Sequence, residues 1–282
     1  GMTYSFESPK VFDRLKLPAD SPLRKTVGIL NPLGEDFSIM RTSPLHGMLS
    51  SLSTNYNRRN KNVRLYELAN IYLPKSLPLT ELPDERMQFT LGMYGDGDFY
   101  DMKGVIEEFF DKAGMHKKPH YNPEDKKSYL HPGRQADIVY DGVTVGCLGE
   151  VHPDVADNYK IGERTYVAVI DMPSMIPFTT FDRKYTGIAK YPAVSRDISM
   201  VVPKDVLVGQ IEDVIEQRGG KLLESYQLFD IYEGAQILAG FKSVAYSITF
   251  RAKDHTLEDK EAGAVMNKIL NGLQALGIEL RA

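Results

Sequence analysis

The sequence lacks the features of a membrane protein and of a disulfide-bonded protein, and it lacks the positive charge of a non-specific nucleic-acid-binding protein. No apolar run approaches the length of a membrane span, and the first residues lack the charged and then apolar pattern of a signal peptide. The single cysteine, Cys147, excludes an intramolecular disulfide and suits a reducing cytoplasm, where we expect the protein. The net charge of −4 argues against broad, non-specific nucleic-acid binding but permits narrow recognition by a few groups.

Motifs for phosphate and metal chemistry are also missing. The sequence contains no G-x-x-x-x-G-K-[ST] loop, and Gly95-Asp96-Gly97 sits among acidic residues, which favours a turn over a phosphate cradle. The six histidines lack the spacing of metal ligands, so no metal site is predicted. In the cluster from Leu130 to Arg134, the His-Pro-Gly sequence is typical of a turn that Arg134 braces.

What the sequence does contain is a regular alternation of elements in its last third. Apolar and polar residues alternate at a period of two where strands are predicted, and apolar residues recur at helical spacing between them. Thr256, with Asp259 three residues later, is the predicted N-cap of the second helix. The predicted elements are strand 197–202, helix 208–219, strand 222–232, strand 242–251, helix 256–277 and strand 278–280.

This βαββαβ order predicts a ferredoxin-like sandwich, because two helices with one apolar stripe each can cover only one face of a four-stranded sheet. The other face stays open. A face of this kind presents stacking and hydrogen-bonding groups to unpaired bases in several RNA-binding modules, but it is also commonly left to water. From the pattern alone both readings stand. The residues predicted on the open face are Ser199, Ser243, Ser247, Thr249 and Arg251.

The first two thirds of the chain form a second unit, because 282 residues exceed one typical domain and a loose segment, 173–190, precedes the last third. Its alternating strands predict an α+β domain on a mainly antiparallel sheet, with a two-residue hairpin turn at Asp141-Gly142. In the helix over 101–113, the spacing places Met102, Val105, Ile106 and Phe109 inward. The other predicted elements are strand 3–6, a helix from Ser8-Pro9, a helix opened by Ser43-Pro44, and strands 63–72 and 86–94.

Three stretches of the last third carry a family resemblance. Over 191–199, 224–234 and 242–251, the sequence resembles the ferredoxin-fold anticodon-binding domain of the phenylalanyl-tRNA synthetase β subunit. In that family the Asp and Tyr of an F-D-x-Y run and the Ser after the third-strand Lys contact the first anticodon base. The resemblance implies these RNA-binding roles for Asp230, Tyr232 and Ser243.

The residue types suit those roles. A tyrosine ring is a stacking surface for any base, a carboxylate accepts from a guanine Watson–Crick edge, and a hydroxyl serves as donor or acceptor. Arg196 and Arg251 are further RNA-binding candidates that would meet phosphates, although each could instead pair with a nearby carboxylate.

The first unit resembles the catalytic-like module of the same β subunit. Residues 40–44 and 63–72 are similar to the helix start and the second-motif strand of a class II synthetase. The sequence departs from an active enzyme after Tyr72, where Leu73-Pro74-Lys75 replaces the groups that meet ATP, and no later glycine-rich segment ends in the third-motif arginine. The resemblance therefore implies a non-catalytic class II synthetase-like domain over 1–183 and a ferredoxin-fold anticodon-binding domain over 190–282, with no catalytic residue.

The resemblance also implies a function and partners. The chain would be a C-terminal fragment of a bacterial-type β subunit, whose whole enzyme attaches phenylalanine to its tRNA with ATP and Mg²⁺, neither of them bound by this fragment. Its partners would be phenylalanine tRNA and the catalytic α subunit of an α2β2 heterotetramer. The α subunit would pack on apolar surface of the first unit, such as Tyr56 or Phe109 if these are exposed. Neither a membrane nor DNA is an expected partner. Gly1-Met2 indicates a cloning remnant, so the natural chain is expected to be longer.

A competing function remains open at this stage. The βαββαβ order also builds regulatory domains that dimerise and bind small molecules, and a scaffold without RNA binding is a third reading. Asp230, Tyr232 and Ser243 on one accessible edge would indicate RNA binding, whereas a glycine-lined pocket between helix and strand at a dimer seam would indicate the regulatory class.

Overall fold

The structure of the chain is a computed structural model that describes residues 1–185, 187–234 and 236–281. It divides into two compact units, Gly1–Arg183 and Lys184–Ala282. The predicted linker over 173–190 begins too early, because residues 172–178 form helical turns in which Met175 is buried and Phe178 packs on Tyr140 at 5.2 Å between ring centroids. Thr186 of that linker lies outside the described residues.

The first unit alternates strands and helices. Short 3-10 turns lie at Pro22–Arg24, Glu35–Phe37 and Ile176–Phe178. Its strands and α-helices are β1 (Phe6–Glu7), α1 (Val11–Arg14), β2 (Ile39–Met40), α2 (Leu45–Asn57), β3 (Val63–Leu73), β4 (Asp84–Tyr94), α3 (Phe99–Lys112), β5 (His120–Asn122), β6 (Leu130–Tyr140), β7 (Val143–Val151), α4 (Pro153–Asn158), β8 (Thr165–Asp171) and α5 (Met172–Met175).

A six-stranded sheet in the order β3-β4-β8-β7-β6-β5 forms the centre of this unit, and all its pairs are antiparallel. The predicted hairpin turn is confirmed: Asp141 and Gly142 both have positive φ, 50° and 82°, as a two-residue turn between twisted strands requires. The turn predicted within Leu130 to Arg134 is wrong. These residues belong to β6 as an irregular stretch, since the pairing with β7 is interrupted between Leu130 and Gln135.

Both faces of the sheet carry an apolar core. Leu45, Leu49 and Leu52 of α2 pack with Tyr94 and Val167 on one face. On the other face, α3 buries Met102, Ile106 and Phe110, which are spaced four residues apart and so share one stripe. The prediction that Val105 faces inward is wrong, because Val105 lies next to the buried stripe of α3 and its side chain is exposed. A sheet covered on both sides explains why its central strands are apolar on both sides as well.

The second unit follows the predicted βαββαβ order. A 3-10 turn lies at Gly220–Leu222. The strands and α-helices are β9 (Val194–Pro203), α6 (Val208–Gly219), β10 (Leu223–Tyr232), β11 (Phe241–Phe250), α7 (Asp259–Gln274) and β12 (Glu279–Leu280).

The sheet of this unit has the order β10-β11-β9-β12, and every pair is antiparallel. Ile198, Met200 and Val202 of β9 are buried with Ile211, Ile215 and Ile269 of the helices, so α6 and α7 lie on one face. The predicted α+β class and the ferredoxin-like sandwich are confirmed. The opposite face carries the polar positions of the strands, as the alternation predicted.

Candidate nucleic-acid interface

A β-bulge in β10 decides which side chains face away from the helices. Leu228 pairs with Tyr246, but the next register pair is Asp230 with Ala245, so Phe229 is an extra residue. Side chains of directly opposed residues lie on the same face of a sheet. Because Ala245 belongs to the open face, the bulge moves Asp230 from the helix-covered face, where strict alternation would put it, to the open face.

The three residues of the predicted base-binding set meet on this face. Tyr232 lies directly opposite Ser243 in the register, and Asp230 lies one open-face position along β10. Asp230 is exposed, Tyr232 is 38% exposed, and Ser243 is 3% exposed at the floor between them. A carboxylate, an aromatic ring and a hydroxyl therefore converge at one end of the open face.

The ring of Tyr232 lies against Gly234, two residues further along the chain. A Cβ built on Gly234 would lie 2.3 Å from the Tyr232 hydroxyl oxygen and 2.5 Å from Cζ. Real Cβ atoms essentially never approach so closely, so only glycine leaves room for the ring in this position. The glycine that follows the F-D-x-Y run is thus explained by its close contact with the Tyr232 ring.

The open-face prediction holds for the four small polar residues. Ser199 and Ala245 are register partners, and Ser247 pairs with Asp197 in the same way. Thr249 pairs with Ser195, and their hydroxyl oxygens lie 3.1 Å apart. Small side chains keep this face flat, which suits a planar ligand.

The two predicted phosphate-binding arginines are not brought to the three residues predicted to bind the base. Arg196 pairs in register with the buried Ile248, so it belongs to the helix-covered face, and its Nη2 donates to Asp259 Oδ1 at 2.6 Å. Arg251 lies beyond the end of β11, where its Nε donates to Glu224 Oε1 at 2.8 Å and its Nη1 donates to the carbonyl of Tyr191. Both guanidinium groups are engaged with oxygens of their own unit.

Lys242, which precedes Ser243, is a structural residue here. Its ammonium donates to the carbonyl of Val206 at 2.8 Å. Burial lowers the pKa of Lys242, although Glu233 and Asp205 act to raise it. The side chain thus fastens β11 to the turn before α6.

In the first unit, the polar residues at the synthetase-like motif bind one another. Arg41 and Glu67 are both buried, with Nη1 and Oε1 3.5 Å apart. Arg41 Nε also donates to the carbonyl of Asn70 at 2.8 Å, and the Thr3 amide and hydroxyl donate to the Glu67 carboxylate. Arg41 and Glu67 therefore have partners within their own unit.

The apolar surface of the first unit differs from the expected one. Tyr56 and Phe109 are only partly exposed and pack against the cores. Exposed apolar side chains lie instead on β3, β4 and α3, at Tyr66, Leu68, Met87, Tyr100 and Val105. Arg134 of β6 is bound to Glu150, with Nη1 and Oε2 3.0 Å apart.

In residues 1–185, 187–234 and 236–281, no group of three or more His, Cys, Asp or Glu side chains is arranged to hold a metal ion. Within the same described part of the chain, none of the helices combines the length and apolarity needed to cross a membrane.

The sequence matches two families. Residues 1–172 match the family described as the phenylalanyl tRNA synthetase beta chain CLM domain, and residues 189–281 match the ferredoxin-fold anticodon binding domain. The two matches fall within the two compact units.

Curated relatives agree with these matches along nearly the whole chain. The phenylalanine–tRNA ligase beta subunit of Clostridium acetobutylicum is 46% identical over 281 residues, which is 99% of this chain and 35% of the relative. That of Clostridium tetani is 44% identical with the same coverage. The chain therefore spans about a third of the length of these relatives.

A solved structure has a related fold. The crystal structure of pyrrolysyl-tRNA synthetase from Desulfitobacterium hafniense aligns with a TM-score of 0.50 and 12% identity, over 62% of this chain and 61% of that chain. At this identity the similarity concerns the fold alone.

Proposed function

The chain belongs to the phenylalanyl-tRNA synthetase β-chain family, and from that premise we propose that it is the tRNA-binding part of a phenylalanine–tRNA ligase. One observation supports this most: the bulge at Phe229 brings Asp230 and Tyr232 beside Ser243 on an open sheet face. We propose that this site contacts the first anticodon base of phenylalanine tRNA.

The chemistry of the three groups favours guanine at that position. An ionised carboxylate only accepts hydrogen bonds, and the Watson–Crick edge of guanine offers two neighbouring donors, N1–H and the N2 amine. A hydroxyl can donate to the remaining group, O6. Adenine presents an acceptor at N1, which a carboxylate cannot pair with. Tyr232 supplies the stacking surface, so it contributes affinity while Asp230 and Ser243 supply selectivity.

Gly234→Ala is expected to weaken tRNA binding by about 1 kcal/mol, because the added methyl group displaces the Tyr232 ring and part of its stacking is lost. Filter binding of phenylalanine tRNA to the complete ligase measures this. Gly209→Ala is the matched control, since a Cβ there meets nothing within 4 Å, and it should leave affinity unchanged. Equal affinities for both variants would show that the position of the ring does not matter.

Bond formation is assigned to another subunit in this proposal. The catalytic α subunit would use ATP and Mg²⁺, and the first unit of this chain would pack on it within an α2β2 assembly in the cytoplasm. The buried pairing of Arg41 with Glu67 supports a structural role for this unit, and the exposed Tyr66, Leu68 and Met87 are candidates for the contact. Apolar side chains of this size are common in protein interfaces.

ATP–pyrophosphate exchange tests whether this chain is non-catalytic and the α subunit forms the adenylate. With phenylalanine present, the 282-residue chain alone is expected to give no exchange above the buffer rate, because its sequence lacks the second-motif groups that meet ATP and the third-motif arginine. The complete ligase, assayed beside it, should exchange readily. Robust exchange by the chain alone would overturn the non-catalytic assignment.

The regulatory alternative predicted a glycine-lined pocket between helix and strand. The groove between α7 and β12 is lined instead by residues such as Asn267, Asn271 and Gln274, and its lining contains no glycine. Asp230, Tyr232 and Ser243 share the open face, and this arrangement supports RNA binding over small-molecule sensing.

A further inference from the structure

The open face of the second unit is rich in carboxylates. The register places Asp197, Asp230 and Glu279 on it, and all three are exposed. A nucleotide bound on this face brings a negatively charged phosphate, which these carboxylates repel. Recognition of RNA here therefore needs a cation close to the base-binding residues.

Arg281 supplies a guanidinium at this place. Its amide donates to the carbonyl of Ser199 at 2.8 Å, which extends β12 by one residue along β9. Its Nη1 donates to Ser243 Oγ at 3.5 Å, and its Nη2 donates to Gln236 Oε1 at 3.3 Å. The side chain thus lies on the open face, in contact with the floor of the base-binding site.

The partners of Arg281 distinguish it from the two arginines chosen from the sequence. Arg196 and Arg251 each donate to a carboxylate, from Asp259 and from Glu224. Among the described residues, the two side-chain hydrogen bonds of Arg281 are instead to neutral oxygens, a hydroxyl and an amide. Within that part of the chain its positive charge is not matched by the groups that hold it, and three of its five N–H donors remain for a ligand.

We propose that Arg281 is a further RNA-binding residue, which pairs with the phosphate of the nucleotide whose base stacks on Tyr232. This inference rests on the proposed function. The same guanidinium donates to Ser243 Oγ, so it leaves the hydroxyl proton of Ser243 free to donate to the base. A planar guanidinium suits a phosphate better than an ammonium does, because two parallel N–H groups meet two oxygens.

Binding of phenylalanine tRNA to the complete ligase across a potassium chloride series tests the proposal. Arg281→Gln is expected to weaken binding about tenfold near physiological salt. The slope of log K against log salt should fall in magnitude by about 0.7, the share of one phosphate contact on a single strand. Arg281→Lys keeps the charge, so it should preserve the slope while binding more weakly than the wild type.

Arg218→Gln is the matched control, because Arg218 is an exposed arginine in α6, on the other side of the sheet. It should change neither affinity nor slope, and thermal unfolding midpoints confirm that each variant is folded. Unchanged affinity in Arg281→Gln, or weaker binding with an unchanged slope, would overturn the phosphate contact. A Tyr232→Ala variant, measured in parallel, distinguishes failure of the Arg281 proposal from failure of the proposed function. If Tyr232→Ala weakens binding and Arg281→Gln does not, only the Arg281 proposal fails. If neither variant weakens binding, the proposed function fails as well.

Discussion

A ligase that carries Tyr232→Ala is expected to lose roughly 1–3 kcal/mol of transition-state stabilisation with phenylalanine tRNA, which lowers kcat/KM by about five- to 150-fold. The physical reason is the loss of a base-stacking surface that lies opposite Ser243, in a position for which Gly234 leaves room. Aminoacylation rates over a range of tRNA concentrations measure the effect, and we expect it mainly in KM for tRNA.

Tyr232→Phe is the control, because it keeps the ring and removes only the hydroxyl. It should remain close to the wild type. Tyr232 ends an edge strand and is partly exposed, so the alanine variant should unfold at nearly the same temperature as the wild type. An alanine variant that is folded and aminoacylates tRNA as well as the wild type would remove Tyr232 from the site.

Asp230→Asn should reduce use of tRNA with guanine at the first anticodon position by roughly 1–3 kcal/mol, as expected for a lost bidentate base contact. The amide has the same shape as the carboxylate but can offer only one oxygen to the N1–H and N2 donors of guanine. The variant should therefore also discriminate less between guanine and adenine at this position. Aminoacylation of the two tRNAs, compared as kcat/KM, gives both quantities.

Asp197→Asn provides a control with the same change of charge on the same face. Asp197 pairs with Ser247, four residues along β11 from Ser243, which is about 13 Å away. Its substitution should leave the ratio of the two tRNAs unchanged. If Asp197→Asn and Asp230→Asn had equal effects, the carboxylate would act through the general charge of the face and not through the base.

The sequence predicted the order of elements in both units because most strands and helices carry a clear apolar period. The fold of the second unit follows from the alternation in β9 and β11 and from the stripes of α6 and α7. The predicted N-cap at Thr256 was wrong, because α7 begins at Asp259 after Glu258, whose amide donates to Glu261 Oε2 at 3.0 Å. Several polar residues near a helix start compete for that position, and local pattern does not choose between them.

The site itself was only partly predictable. The bulge at Phe229 is a property of strand pairing, so the run from Phe229 to Tyr232 does not show by itself which residues face outward. The positions of Asp230 and Tyr232 came from the family resemblance, and the register then gave a physical reason for them.

Charge alone also could not show which arginine lies beside the predicted base-binding residues. Arg196 and Arg251 were chosen by residue type, but pairing with a carboxylate depends on residues distant in sequence, Asp259 and Glu224. Arg281 follows a two-residue strand at the end of the chain and belongs to none of the motif stretches, so only the β9–β12 pairing indicates its position.

Anticodon reading by this chain is tested by the binding to the complete ligase of phenylalanine tRNAs that differ only in the first anticodon base. We expect that guanine binds best, that adenine at this position weakens binding by about tenfold or more, and that Asp230→Asn removes most of this difference. Equal binding of the two tRNAs by the folded wild-type enzyme would contradict the claim that this chain reads the anticodon.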